Sequence, residues 1–185
     1  FVKQTAKLTK AKKIPLDLKN IKKIIKIQQV PLIGDFNLLN VAAAIEVGKI
    51  FKVSLKKIGK AIKNFKPLEH RLELVGTFKD IAFYNDALAT LPEATMAAIE
   101  ALGARVETII LGGSERNLDF HNLAKKVLKS GIKTVILFPT TGDRIWNNIV
   151  EVSRSREVPK HFFAASMADA VKLAYSHTKK GKICL

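Results

Sequence analysis

From residue 80 onward, five short apolar runs, "DIAFY", "VETIILGG", "TVILF", "HFFAA" and "KICL", alternate with segments of helical periodicity. That alternation is the strongest constraint on the fold. Strands separated by helices return parallel to one another, and their crossovers cover both faces of an open sheet. The helix boundaries carry their own signals. Thr90 with Glu93 three residues on has capping-box spacing, and Gly103 is placed to stop that helix. The next helix spans about His121 to Lys129 and closes at Gly131. Another ends near Val152, and Ser166 is placed to cap the last, which runs to about His177.

The region before Arg71 has a different texture. "IKKIIKIQQVPLIGDF" mixes short apolar runs with Pro31 and Gly34, which predicts strands and turns. From Asn37 the pattern turns helical, with Leu38, Val41, Ala42 and Ile45 recurring at three and four. Ser54 can cap a second helix that carries Leu55, Ile58, Ala61 and Ile62 on one face. Pro67 breaks the pattern, and a boundary falls near residues 66–72. The expected fold class is α/β: a partial α/β domain over residues 1–68, then a Rossmann-like, mostly parallel open sheet with helices on both faces over residues 69–185.

Composition narrows the functional classes. Hydrophobic residues make up 48% of the 185, enough for a real core. No apolar run approaches the ~20 residues of a membrane span, and no signal-peptide pattern is present. A single cysteine, Cys184, fits a reducing, cytoplasmic setting and reads best as a small core residue. The net charge is +16, from 32 basic and 16 acidic residues, with much of the lysine in Lys3 to Lys26 and Lys52 to Lys66. Aromatics are not interleaved there as in stacking platforms, so nucleic acid is a disfavoured partner. Solvated helix faces, or attraction of a polyanionic small substrate, account for the charge better. The chain begins at Phe1 and ends at Leu185 inside an apolar run, so it reads as a fragment of a longer protein.

Neither GxxxxGK[ST] nor GxGxxG occurs, and "LGG" alone also fits a tight turn. His70, His121, His161 and His177 lack metal-ligand spacing, so no metal site is expected among them. Four polar features sit at strand or helix ends. Asn37 and Asn40 share one helix face, either as a cap and a solvated amide or as amides facing a nucleobase edge. Arg71 follows the Pro67 break, as an interdomain ion pair or as a grip on ribose or phosphate. Asp86 ends "DIAFYND", as a turn residue or as an acceptor for a ribose hydroxyl or metal-bound water. Arg116 follows "LGG", where a guanidinium can pair with a substrate carboxylate.

In order along the chain, "GDFNLLNVAAAI", "FKPLEHRLE", "FYNDALATLPEATMAAIEAL" and "IILGGSERNLDF" resemble the Mur ligase family, most closely its glutamate-adding members. The resemblance runs from Gly34 almost to the end. It implies the end of a central ATP-binding domain over residues 1–68 and most of a C-terminal domain thereafter. The implied activity is an ATP-dependent amide ligation in peptidoglycan precursor synthesis. ATP phosphorylates the carboxylate of UDP-N-acetylmuramoyl-L-alanine, and glutamate attacks the acyl phosphate. By the same resemblance, Asn37, Asn40, Arg71 and Asp86 bind ATP, Thr90 and Arg116 lie near glutamate, and Mg2+ has its ligands mostly outside this stretch. The phosphate loop would lie upstream of Phe1, so this stretch alone is expected to be inactive. Departures include Phe36 where many members have His, Leu88 where a Lys is usual, and Arg116 in place of Lys. The glutamate isomer stays open, as do two alternatives: another Mur or folylpolyglutamate-type ligase, and a basic polyanion-binding module.

Overall fold

A computed structural model describes residues 7, 8, 10–154 and 157–185. The chain divides into two compact units, residues 1–66 and 67–185.

In the first unit a one-turn helix α1 (Lys19–Lys22) and a 3-10 turn (Ile27–Gln29) precede α2 (Asp35–Ile50) and α3 (Leu55–Lys63). The strands expected from "IKKIIKIQQVPLIGDF" do not form among the described residues. Ile21 and Ile25 are four apart, and the Ile25 amide donates to the Ile21 carbonyl at 2.9 Å. That turn points both side chains into one cluster with Val41, Ala42, Ile45 and Ile58. Helical spacing of the isoleucines therefore wins over their strand propensity. As expected, Ser54 caps α3, its hydroxyl accepting from the Lys57 amide.

The α2–α3 corner is tightly made. Lys52 donates its amide to the Lys49 carbonyl at 2.9 Å, and Val53 donates to the Gly48 carbonyl at 2.9 Å. This is a Schellman ending, in which the residue past the helix takes left-handed geometry. Here that residue is Lys52, at φ +56°. A side chain there carries roughly 1 kcal/mol of strain. Lys52→Gly is expected to stabilise the unit by about 0.5–1 kcal/mol, less than the full strain because glycine loses more entropy on folding. Urea unfolding followed by helical circular dichroism would read this, and a destabilised variant would contradict it.

The second unit is built on six strands: β1 (Glu73–Phe78), β2 (Ile81–Asn85), β3 (Val106–Leu111), β4 (Thr134–Leu137), β5 (Lys160–Phe163) and β6 (Ile183–Cys184). Their order is β1-β2-β6-β3-β4-β5. All neighbours are parallel except β1 with β2. The helices are α4 (Pro92–Leu102), α5 (His121–Lys129), α6 (Gly142–Ser153) and α7 (Met167–His177). From β2 to β5 the chain moves steadily across the sheet, so right-handed crossovers put α4, α5 and α6 on one face. From β5 it doubles back to β6, which puts α7 on the other face, over Ile136 and Cys184. β4 is buried at every position, as a strand covered on both faces must be.

Strand β1 was not expected. Its turn to β2 is Lys79-Asp80, with φ of +51° and +64°. Two left-handed residues make a type I′ hairpin, which usually announces itself as Asn-Gly. At the other end of β2 the helix start differs too. Pro92 occupies the first helical position and Leu91 the cap position, so Thr90 lies one residue outside and makes no cap. Proline's fixed φ sets the start and overrides the capping-box spacing. Gly103, at φ +67°, ends α4 where expected, and the Ser166 hydroxyl accepts from the Asp169 amide at 3.1 Å to cap α7.

Candidate functional site

In parallel sheets, ligands bind beyond the carboxyl ends of the strands where the winding reverses. Here that place lies above β2, β6 and β3. A cleft of about 720 Å³ opens there. Thr95 and Ala98 of α4 line it from one face of the sheet and Val171 and Tyr175 of α7 from the other. Tyr84, Asn85, Asp86 and Gly112 form its strand-end rim.

Asp86 follows directly on β2, with its side chain only 7% exposed. Its Oδ1 accepts from the Leu72 amide at 3.0 Å, and Arg71 Nη1 stands 3.8 Å away. Burial pushes the carboxyl upward, while the Leu72 amide and the Arg71 guanidinium pull it down; burial is the largest of these effects. A desolvated carboxylate beside a guanidinium at a strand end, in a cleft, is a candidate for a binding site. Arg71 and Asp86 are thus brought together by the fold.

Residues 70–72 and 85–88 are laced by three more hydrogen bonds. The Leu88 amide donates to the His70 carbonyl at 3.1 Å. Asn85 Nδ2 lies 2.8 Å from His70 Nδ1, and Asn85 Oδ1 accepts from the Ala87 amide at 3.0 Å. His70 and Leu72 both hold positive φ, +61° and +47°. The strain keeps Leu72's amide aimed at Asp86. Asn85 as a clamp was missed at the sequence level; its only signal was its place in "YND".

Thr90 is exposed, and its amide donates to the Leu88 carbonyl at 2.9 Å. Arg116 is exposed on the loop between β3 and α5. That loop is held by Arg144 of α6, which no sequence spacing indicated. Its Nη1 donates to Glu115 Oε1, its Nη2 to the Leu118 carbonyl at 2.8 Å, and its guanidinium lies 5.3 Å from the Phe120 ring centre. The Thr141 hydroxyl donates to the Gly113 carbonyl at 3.2 Å. The Arg144 hydrogen bond, first among several, holds the Glu115 carboxyl below its usual range. Arg144→Ala is expected to speed hydrogen exchange at the Asn117 amide, which donates to Glu115, by roughly threefold or more. The thermal midpoint should barely move, because the pair is exposed. A depressed carboxyl gives order that is present above its unfolded value and lost as pH falls through its folded one, so the wild-type loop should loosen only in acid. Unchanged exchange in the variant would dismiss Arg144 as the clasp.

In the first unit, Asn37 and Asn40 fall in the first turns of α2. Asn37 is buried; its Nδ2 donates to the Ile33 carbonyl at 2.7 Å, and its Oδ1 accepts from Asn40 Nδ2 at 3.2 Å. Asn40 is exposed. Both groups of the Asn37 amide are therefore engaged internally, and Asn40 is the amide presented outward. Cys184 lies in the core as expected, with burial pushing its thiol up to about 12. His161 stacks on Trp146 at 3.8 Å and His177 on Phe162 at 4.3 Å, both structural roles. Among the described residues no group of three metal-binding side chains gathers, and no helix is long and apolar enough to cross a membrane.

The six-stranded, mostly parallel sheet with helices on both faces defines a Rossmann-like domain, with a carboxylate set at a strand end. The family profile described as "Mur ligase, glutamate ligase domain" matches residues 70–185, and the chain belongs to the Mur ligase family. It is 33% identical over 164 residues to a UDP-N-acetylmuramoylalanine–D-glutamate ligase of Thermoanaerobacter sp. (strain X514). That match covers 88% of this chain and 35% of the relative, so the chain spans about a third of the length of the curated relatives it matches. Among solved structures, the UDP-N-acetylmuramate-alanine ligase MurC of Thermotoga maritima aligns with a TM-score of 0.64 at 16% identity, over 83% of this chain and 34% of that one. The MurF ligase of Thermotoga maritima in complex with ADP aligns at 0.58 and 18% identity, over 82% and 34%. At these identities the structures speak for the fold.

Proposed function

We propose that this chain is part of an ATP-dependent ligase that joins glutamate to UDP-N-acetylmuramoyl-L-alanine in the cytoplasm, in peptidoglycan precursor synthesis. The observation that carries the reading is the buried Asp86 beside Arg71, at the strand end of a domain whose family profile begins at residue 70. Residues 1–68 are read as the end of a central ATP-binding domain and residues 69–185 as the glutamate-ligase domain. The Thermoanaerobacter relative's name supplies the substrate pair, and a fold neighbour holds ADP.

The residues present suit a nucleotide. A desolvated carboxylate accepts from ribose hydroxyls more strongly than an exposed one. The Arg71 guanidinium offers a planar fork to phosphate oxygens, and the exposed Asn40 amide offers both a donor and an acceptor to a base edge. Bound ATP supplies the phosphoryl group that turns a carboxylate into a reactive acyl phosphate. The chain's own contribution is orientation. Asp86 and Arg71 fix the nucleotide end of the second unit, and Asn37 orients Asn40. Arg116, on the loop clasped by Arg144, pairs with a glutamate carboxylate, and Thr90 lies beside it. The ligands of Mg2+ are read, by the family resemblance, as lying mostly outside this stretch.

The test is ADP release by the full-length protein that contains this chain. Release should require both UDP-N-acetylmuramoyl-L-alanine and glutamate, with one glutamate isomer preferred. ATP turnover indifferent to both substrates would overturn the reading.

A further inference from the structure

The charge of this protein is strongly one-sided. Residues 1–66 carry 16 lysines, no arginine and three acidic residues, Asp17, Asp35 and Glu46. Their net charge is +13 of the whole chain's +16, leaving +3 for residues 67–185. Little of it is neutralised locally: among the described residues, the ion pair within this unit is Lys49 on Glu46 at 2.7 Å. On α3, Lys56, Lys57, Lys60 and Lys63 all lie on the exposed side, while Ile58 and Ile62 face the core.

A second observation sits beside the first. The α2–α3 corner exposes Val47, Ile50, Phe51, Val53 and Leu55, with Phe51 76% exposed. Lys49, Lys52, Lys56 and Lys57 are threaded among them. The corner is rigid. Besides the Schellman hydrogen bonds, Gly48 brings the two helices so close that an added Cβ would stand 2.9 Å from Ile58 Cδ1. The exposed Phe51 is therefore held out on a fixed support.

We infer that the α2–α3 corner and the lysine face of α3 dock on an anionic lipid surface. Each half of the patch suits that partner. Lysine heads attract acidic headgroups at roughly 1 kcal/mol each, and their stems lie along apolar surface while the ammonium stays wet. A protruding aromatic among aliphatic side chains enters the headgroup–acyl boundary. Nucleic acid fits less well, because Phe51 is surrounded by aliphatic side chains and the unit has no arginine to fork onto phosphates or bases. The attachment is peripheral and reversible, and it uses none of the residues assigned to the ligase site above.

The test is co-sedimentation of the protein with vesicles of phosphatidylcholine alone and with added phosphatidylglycerol. Binding is expected only to the anionic vesicles, falling steeply between ~0.05 and ~0.5 M salt. Reversing the four exposed lysines together (Lys56→Glu, Lys57→Glu, Lys60→Glu and Lys63→Glu) should weaken it by about 10²-fold or more. Phe51→Ser, which leaves the charge intact, should weaken it by roughly tenfold. Circular dichroism checks that each variant is folded; if the quadruple variant is not, Phe51→Ser alone decides. Equal binding to neutral vesicles, unchanged binding of Phe51→Ser, or tighter retention on a single-stranded oligonucleotide than on the anionic vesicles would each overturn the inference.

Discussion

Gly112→Ala is expected to unfold the second unit in urea at a markedly lower concentration than the wild type, with a loss of about 3 kcal/mol or more. Gly112 ends β3 at φ +142°, a conformation that side chains rarely adopt. A Cβ there would stand 2.5 Å from the Phe138 carbonyl oxygen, 2.7 Å from its Cβ and 2.8 Å from its amide nitrogen. None of these atoms can yield cheaply. The Phe138 amide donates to the Leu111 carbonyl at 2.8 Å, and its carbonyl accepts from the Gly142 amide at 3.0 Å. Moving Phe138 would break the β3–β4 ladder and the start of α6 together. Against a total stability of roughly 5–15 kcal/mol for a domain, that loss is large. Gly113→Ala is the control. Its φ is +133°, but an added Cβ meets nothing within 4 Å, so it should show backbone strain alone, about 1–2 kcal/mol. Trp146, in α6 and stacked on His161 of β5, reports unfolding by its fluorescence. If both variants lose the same amount, close approach is not what demands glycine at 112.

That comparison bears on how much of the protein could be read from its residues. The "LGG" stretch fits a tight turn, and its first glycine is needed for packing against Phe138. The five parallel strands and the four helices between them were legible because burial on two faces leaves apolar runs, and helices between them leave a 3.6-residue period. Strand β1 was not. It lies at the sheet edge with Leu74, Val75 and Phe78 exposed, and its I′ turn is made by Lys79-Asp80, so both alternation and turn chemistry are missing. The strands expected before Gly34 failed for the opposite reason. β-Branched residues were present, but four-residue spacing of Ile21 and Ile25 suited a helical turn against α2. The place of Asp86 at a strand end was legible because a carboxylate closing an apolar run is anomalous. Arg144 was not, since it acts across 26 to 29 residues and only the α6 crossover brings it to the loop.

Asp86→Asn should separate binding from stability. The substitution keeps the size of the side chain and an Oδ1 able to accept from the Leu72 amide, and removes only the charge. The sign of the stability change follows from the raised carboxyl. A group whose folded value lies above its unfolded one contributes stability that is complete below the unfolded value, near 4, and is lost as pH rises through the folded value. At pH 7 the wild type therefore holds an ionised Asp86 at a net penalty, set chiefly by burial and only partly offset by the Leu72 amide and Arg71. The neutral variant escapes that penalty, so its stability at pH 7 should equal or exceed that of the wild type. The difference between the two should vanish in acid. On the proposal that Asp86 holds a nucleotide in a ligase, turnover of the full-length protein should move the other way, falling by ~10²-fold or more. A variant less stable at pH 7 than the wild type would show that the ion pair with Arg71 at 3.8 Å supports the fold. A stable variant with full turnover would remove Asp86 from the site. Only the combination of preserved or raised stability with lost turnover fits a carboxylate that is kept charged and buried for a ligand.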